Sequence, residues 1–381
     1  MPARSTLRAL IAVAAVVPCL ILLLPVIVGG VALLLFVSTV RVIGRVLEPA
    51  FVSWPDLMVF DRTLGWRPRP DLDARYLADR DDVFRIVTDG EGWPGRRPLY
   101  ESDVVVVGDS FAFGYGVDTP RSFAELDPRL RVKAIGAPGY SMVQGVRLLE
   151  QFGPRLKGKL IVWFLYPEND LQDNLAPEMR QYRAPFARLD QVRGEWEIVD
   201  EHLQPLKWEC SNLDTTRLFP RFCVSGPFST RAFSACDYLI GRAERACREA
   251  GADLAVVTIP HPMQLTKRGR ARLAWQSGNA ALCDADLSDR RIADSCGRYG
   301  IALVSGAQHL TARDYKWREG IHWNERGHRK MASLLARIYD SFQARLLHDS
   351  VAEPVSEVVA RPAPIGAAIK SPPAEGLGVG R

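Results

Sequence analysis

VVVVGDSFAFGYGV, residues 104–117, is the stretch from which the chain is best read. Four successive valines are too apolar and too β-branched for a surface strand, and they predict the central strand of a parallel sheet covered on both faces. Gly108 permits a tight turn, Asp109 and Ser110 follow, and Phe111 onward begins a short helix. Open α/β sheets bind ligands at the carboxyl ends of their strands. Ser110 therefore stands where a nucleophile belongs, beside free helix N–H groups that favour developing negative charge. A helix-capping serine is the competing reading of the same position.

Outward from this stretch, apolar runs at 132–135, 160–165 (LIVWFL), 254–259 (LAVVTI) and 301–304 predict four more buried strands. Helical spacing runs through Val143, Val146, Leu149 and Phe152, through residues 236–250, and through Met331, Leu334, Leu335, Ile338 and Phe342. Strands alternating with helices predict a three-layer α/β/α sandwich on a five-stranded parallel, flavodoxin-like sheet. The sandwich is assigned to residues 104–346. Residues 49–103 form a polar, proline-punctuated lead-in that covers the sheet, with a short strand at 83–87. Between about 171 and 233 the periodicity fades, which predicts an inserted lobe or lid. Residues 347–381, rich in Pro, Ala, Gly and Val, predict a disordered tail.

The 381 residues are 47% hydrophobic and 24% charged with a net charge of +5, an ordinary globular composition. No Lys/Arg-rich or aromatic-interleaved basic stretch is present, so nucleic acid is excluded as a partner. Residues 9–40 carry no charge. As a continuous helix at ~1.5 Å per residue they would reach ~48 Å, beyond the ~30 Å of a bilayer core and longer than a signal peptide's apolar region. Residues 1–48 are read as a membrane anchor with one tilted span, kinked at Pro18, Pro25 or Gly29-Gly30. Arg4 and Arg8 are matched by Arg41 and Arg45, so charge does not choose the orientation. Outside the run lie six cysteines, which predict either three disulfides on the oxidising side of the membrane or six buried thiols. The expected location is a membrane with the globular part outside the cytoplasm.

Three turns follow three strands: Gly108-Asp109-Ser110, Gly136-Ala-Pro-Gly139 and Glu168-Asn169-Asp170. A parallel sheet gathers such turns on one edge, bringing together a hydroxyl, a glycine N–H and an amide side chain, the set that acyl transfer requires. Gly139 as a turn residue and Asn169 as a cap are the simpler readings of each alone. A fourth piece precedes the last helix, Glu319-Gly-Ile-His322-Trp-Asn-Glu325-Arg-Gly-His328. There His322 can take the Ser110 proton and a carboxylate three residues earlier can orient the ring. A metal site of His322, Glu325 and His328 lacks the HExxH pattern, and His328 reads as a packed or solvent-facing helix residue. No metal or cofactor is implied.

Gly108-Asp109-Ser110, Gly139, Asn169-Asp170 and His322 together resemble the four ordered blocks of the SGNH, or GDSL-type, hydrolases. The likeness covers roughly residues 104–346. Leu64-Gly-Trp-Arg-Pro-Arg-Pro70 and Thr88-Asp-Gly90 look like the lead-in of membrane-anchored bacterial members. The resemblance implies Ser110 as nucleophile, His322 as general base, and the Ser110 N–H, Gly139 N–H and Asn169 side chain as the oxyanion hole. Where the family has Asp before the histidine this chain has Glu319, so the ring is oriented by Glu319, by a backbone carbonyl or by Asp314. An α/β-hydrolase elbow would need glycine at Ala112. The expected activity is hydrolysis of acyl esters, acetyl among them, of an envelope carbohydrate or lipid. O-acyl transfer to an envelope polysaccharide and a catalytically silent module are the alternatives.

Overall fold

The computed structural model describes residues 23–39, 51–79, 82–207, 218–316 and 321–351. Its centre is a parallel sheet of β1 (Val104–Gly108), β2 (Val132–Gly136), β3 (Leu160–Leu165), β4 (Asp253–Thr258) and β5 (Ala302–Ser305). The spatial order is β5-β4-β3-β1-β2, all pairs parallel, with Val104 opposite both Val132 and Leu160. The chain thus steps from β1 to one side and returns to the other, which opens a crevice at the carboxyl ends of β1 and β3.

Alternation along the strands builds the layers. Val105, Val107, Ile161, Trp163 and Leu165 share one core with Val143, Val146 and Leu149 of α2 (Met142–Phe152) and Leu239, Ile240 and Ala243 of α4 (Pro227–Ala250). Phe164 points the other way, to Phe123 at 5.3 Å and Trp323 at 5.8 Å between ring centroids, just before α6 (Glu325–Val351). The valines of β1 and all six residues of β3 are at most 1% exposed, which accounts for their unbroken apolar runs. The short helices α1 (Ser110–Phe113) and α3 (Pro167–Asp173) follow β1 and β3, and α5 (Leu287–Arg298) precedes β5. The chain divides into two compact units, Met1–Tyr339 and Asp340–Arg381.

The lead-in holds more strand than its polar sequence predicts. Met58–Asp61 pairs with Gly65–Pro68, and the Asp61 carboxylate closes the turn by accepting from the Thr63 and Leu64 N–H groups. Asp73–Asp79 pairs with Asp82–Val87, where a short strand was expected. The segment between α3 and α4 likewise contains two hairpins, Glu178–Met179 with Tyr182–Arg183 and Phe186–Asp190 with Glu195–Val199.

Among the described residues no helix is long and apolar enough to cross a membrane. Of the expected span only residues 23–39 are described, a helix whose apolar side chains are exposed, and residues 9–22 and residue 40 lie outside the described residues. One expectation is corrected, the disulfide reading: Cys223, Cys236, Cys247, Cys283 and Cys296 are free thiols, and all but Cys283 are buried. Cys236 and Cys247 on α4 and Cys296 on α5 serve as small apolar side chains of the core. Cys210 and the tail from residue 352 lie outside the described residues.

Candidate functional site

At the end of β1 the backbone turns at Gly108, φ 157°, where a Cβ would lie 2.9 Å from the Phe164 carbonyl oxygen. The capping role that was the competing reading of Ser110 falls to Asp109, whose carboxylate accepts from the Phe111 N–H at 2.9 Å. The serine hydroxyl is thereby left for another partner. Ser110 Oγ lies 2.7 Å from His322 Nε2, across 212 positions of sequence. With the ring proton on Nδ1, the hydroxyl donates to Nε2.

His322 is carried on a strap fastened at both sides. Its carbonyl accepts from the Lys316 N–H at 2.8 Å, and Tyr315 bridges Trp323. Trp323 is fully buried against Phe111 and Phe164, and Asn324 donates to the Arg313 and Tyr315 carbonyls while accepting from the Arg326 and Gly327 N–H groups at the start of α6. The His322 ring packs 4.6 Å from Tyr115 and 5.3 Å from Phe111. Glu319 lies outside the described residues. The Asp314 carboxylate is committed to Thr311, to Lys330 at 2.5 Å and to Arg326 at 2.8 Å, an arrangement that ties the strap to α6 and holds this carboxyl below its usual range. His328 is buried and stacked on Phe123, its Nδ1 accepting from the Phe123 N–H, while Glu325 pairs with Arg121 at the surface. Among the described residues no group of three His, Cys, Asp or Glu side chains is arranged to hold a metal ion.

Gly139 adopts φ 80°, which an L side chain rarely tolerates. Its loop is held by the lead-in: Trp66 Nε1 donates to the Pro138 carbonyl at 3.2 Å and the Tyr140 hydroxyl donates to the Trp66 carbonyl at 2.6 Å. Asn169, on α3, donates from Nδ2 to the Asp109 carboxylate at 3.3 Å. Ser110, Gly139, Asn169 and His322 all line one cavity of about 240 Å³.

Carboxyl groups cluster at the cavity and just beneath it, and burial raises three of them. Burial pushes Asp109 up to about 6, opposed by the Phe111 N–H and by nearby His322. Burial pushes Asp173 up to about 8, reinforced by the Asp109 charge and opposed by a hydrogen bond with Asn169. Asp170 is raised well above its ordinary value by burial and by Asp109, while its carboxylate accepts from the Tyr166 N–H at 2.7 Å. Glu168 accepts from the Tyr166 hydroxyl and lies 3.4 Å from His261 Nε2. Because His261 Nδ1 accepts from the Met263 N–H, the ring proton sits on Nε2 and faces Glu168. Burial holds this ring down to about 4, hence neutral.

Sequence reasoning missed the cavity's walls. Trp54 and Tyr76 come from the lead-in and Met179 and Arg180 from the first hairpin after α3, segments without a motif. Asp173 had one usable signal, its place four residues after Asn169 on the same helical face.

No family model matches the chain, and no curated protein does. Among solved structures, a carbohydrate acetylesterase from Sinorhizobium meliloti is 10% identical, with 64% of this chain and 100% of that chain covered and a TM-score of 0.36. An inhibitor-bound aryl esterase from M. smegmatis is 11% identical over 63% of this chain and 99% of its own, TM-score 0.37. A GDSL-like lipase from Bacteroides thetaiotaomicron is 12% identical over 65% and 92%, TM-score 0.35.

Proposed function

We propose that this chain is a serine ester hydrolase of the SGNH type. The observation that carries the reading is the 2.7 Å contact between Ser110 Oγ and His322 Nε2 inside a cavity that Gly139 and Asn169 also line. Ser110 attacks the acyl carbonyl as His322 takes its proton, and the tetrahedral oxyanion is held by the Ser110 and Gly139 N–H groups and the Asn169 amide. The intermediate collapses, His322 returns the proton to the departing alcohol, and the acyl group remains on Ser110. Water, deprotonated by His322, then releases the acid. Asp109 has two tasks in this scheme: it caps the turn that presents Ser110, and it holds the Asn169 amide at the cavity edge.

The uncharged run at 9–40 supports tethering to a membrane, and the exposed apolar side chains of the helix at 23–39 favour the same reading. The chemistry is tested with a fluorophosphonate probe and an acetyl-ester release assay. Wild type should be labelled and active and Ser110→Ala neither; undiminished turnover by Ser110→Ala would remove the nucleophile. Acetyl recovered on an added oligosaccharide rather than as acetate would move the reading from hydrolase to transferase. Extraction of the full chain from membranes by alkaline carbonate would count against the tether.

A further inference from the structure

The walls of the cavity hold polar atoms that the fold leaves unused. Trp54, from the four-residue helix Trp54–Leu57 of the lead-in, is 7% exposed, and its Nε1 has no hydrogen-bond partner among the described residues. Asp173, at the end of α3, is likewise 7% exposed, and its Oδ2 has none. Both side chains line the cavity that contains Ser110 and His322. Buried polar groups are nearly always paired, and each one left alone opposes folding, so two that line one cavity point to a ligand that pairs them.

We propose that the site selects esters whose alcohol carries a free hydroxyl beside the acylated one, with Trp54 and Asp173 as the specificity residues; the proposal rests on the hydrolase reading above. A hydroxyl is at once donor and acceptor. It accepts from the Trp54 indole N–H and donates to, or accepts from, the Asp173 carboxyl. An alkyl alcohol offers neither and would strand both groups in a desolvated site, the arrangement by which hydrogen-bonding pockets reject analogues that lack a polar group. Further observations fit. The Arg180 guanidinium lies 4.4 Å from the centroid of the Trp54 ring, so a face of the ring is already occupied by a cation. Burial keeps the Asp173 proton in place at neutral pH, so the carboxyl serves as donor as well as acceptor.

The chemistry is shared by sugar esters and glycerol esters, and two matched pairs tell them apart: a glycoside monoacetate against its neighbouring-deoxy analogue, and glycerol monoacetate against propyl acetate. The quantity read is the ratio of kcat/KM within each pair for the full chain. A ratio of ~10 or more in either pair is expected and identifies the source of the alcohol, and Trp54→Phe and Asp173→Leu should each bring that ratio toward one. Ratios near one in both wild-type pairs overturn the proposal while leaving the hydrolase reading intact. A high ratio that survives both substitutions overturns the assignment to these residues. Hydrolysis of none of the four esters removes the hydrolase reading itself. The wild-type ratios decide the first question even if a variant fails to fold.

Discussion

Replacing Asp173 by Asn keeps the shape of the side chain and removes one titration, so it measures directly what the buried carboxyl does to the fold. In the folded chain Asp173 holds its proton up to about 8, chiefly because burial penalises the carboxylate. In the unfolded chain an aspartate ionises near ~4. Between those values the native state binds a proton that the unfolded state lacks. Stability therefore falls as pH rises, by about 1.4 kcal/mol per unit. Asp170, raised for the same reason, adds a loss of the same sign. His261 and His328, held down to about 4 and about 3, work oppositely: their stabilisation is complete above ~6.5 and is lost as pH falls toward those values. Those three groups, and Asp109 at about 6, are common to both proteins and largely cancel in the difference. From pH 5 to 7.5 Asp173→Asn should gain roughly 3 kcal/mol on wild type, read from urea unfolding at each pH. Curves that stay parallel within ~0.5 kcal/mol would mean that Asp173 titrates as an ordinary carboxylate, and the account of the cavity floor would fail.

The other predictions concern the site and its supports. Asn169→Ala should lower kcat by roughly 10² to 10³, as loss of an oxyanion donor does, and a change under about threefold in steady-state assays would remove it from that role. Glu319→Gln should cost orders of magnitude in kcat if Glu319 orients the His322 ring, and almost nothing if another group does. Asp314→Ala removes a buried carboxylate that accepts from Thr311 and pairs with the partly exposed Lys330 and Arg326. It should destabilise the chain by about 2 kcal/mol in denaturant titration, and a loss under ~0.5 kcal/mol would show that the strap is held elsewhere. Cys223, Cys247 and Cys296 are pushed up to about 12 by burial, so iodoacetamide at pH 8 should leave them unmodified in the native chain and label them in urea, as mass spectrometry would read.

Strands buried on both faces announce themselves, because every position must be apolar. Residues 160–165 were legible for that reason, and β3 covers the same span. The hairpin Phe186–Asp190 with Glu195–Val199 was not, since nearly all of its side chains are half-buried or exposed and its sequence therefore lacks the alternation that marks a strand. In the lead-in, Leu64 and Trp66 are buried within a stretch whose arginines, aspartates and prolines suggest a loop. Cysteine number could not separate disulfides from core thiols, because the count is the same and only helix packing distinguishes them. Ser110 and His322 could be paired from sequence, since topology brings strand ends to one edge. Trp54 and Asp173 could not, because what makes them notable is an unpaired atom, a property of surroundings rather than of spacing.

The ten residues from Glu319 to His328 divide their labour, and the division explains how a histidine so distant in sequence meets Ser110. Among the described members, only His322 faces the hydroxyl. Trp323, buried between Phe111 and Phe164, ties the strap to the turn after β1 and to β3 at once. His328 stacks on Phe123 with the rings 3° from parallel, and Phe123 in turn packs on Phe164. The same strand face that buries Phe164 therefore fixes the stretch that follows His322, while Asn324 and Asp314 close the polar side. A neutral ring at His328 is required for this, because a charge there would be desolvated, and burial holds it down to about 3. The sheet thus locates His322 through an aromatic stack of Phe164, Phe123, Trp323 and His328, and His328 acts on the site by packing.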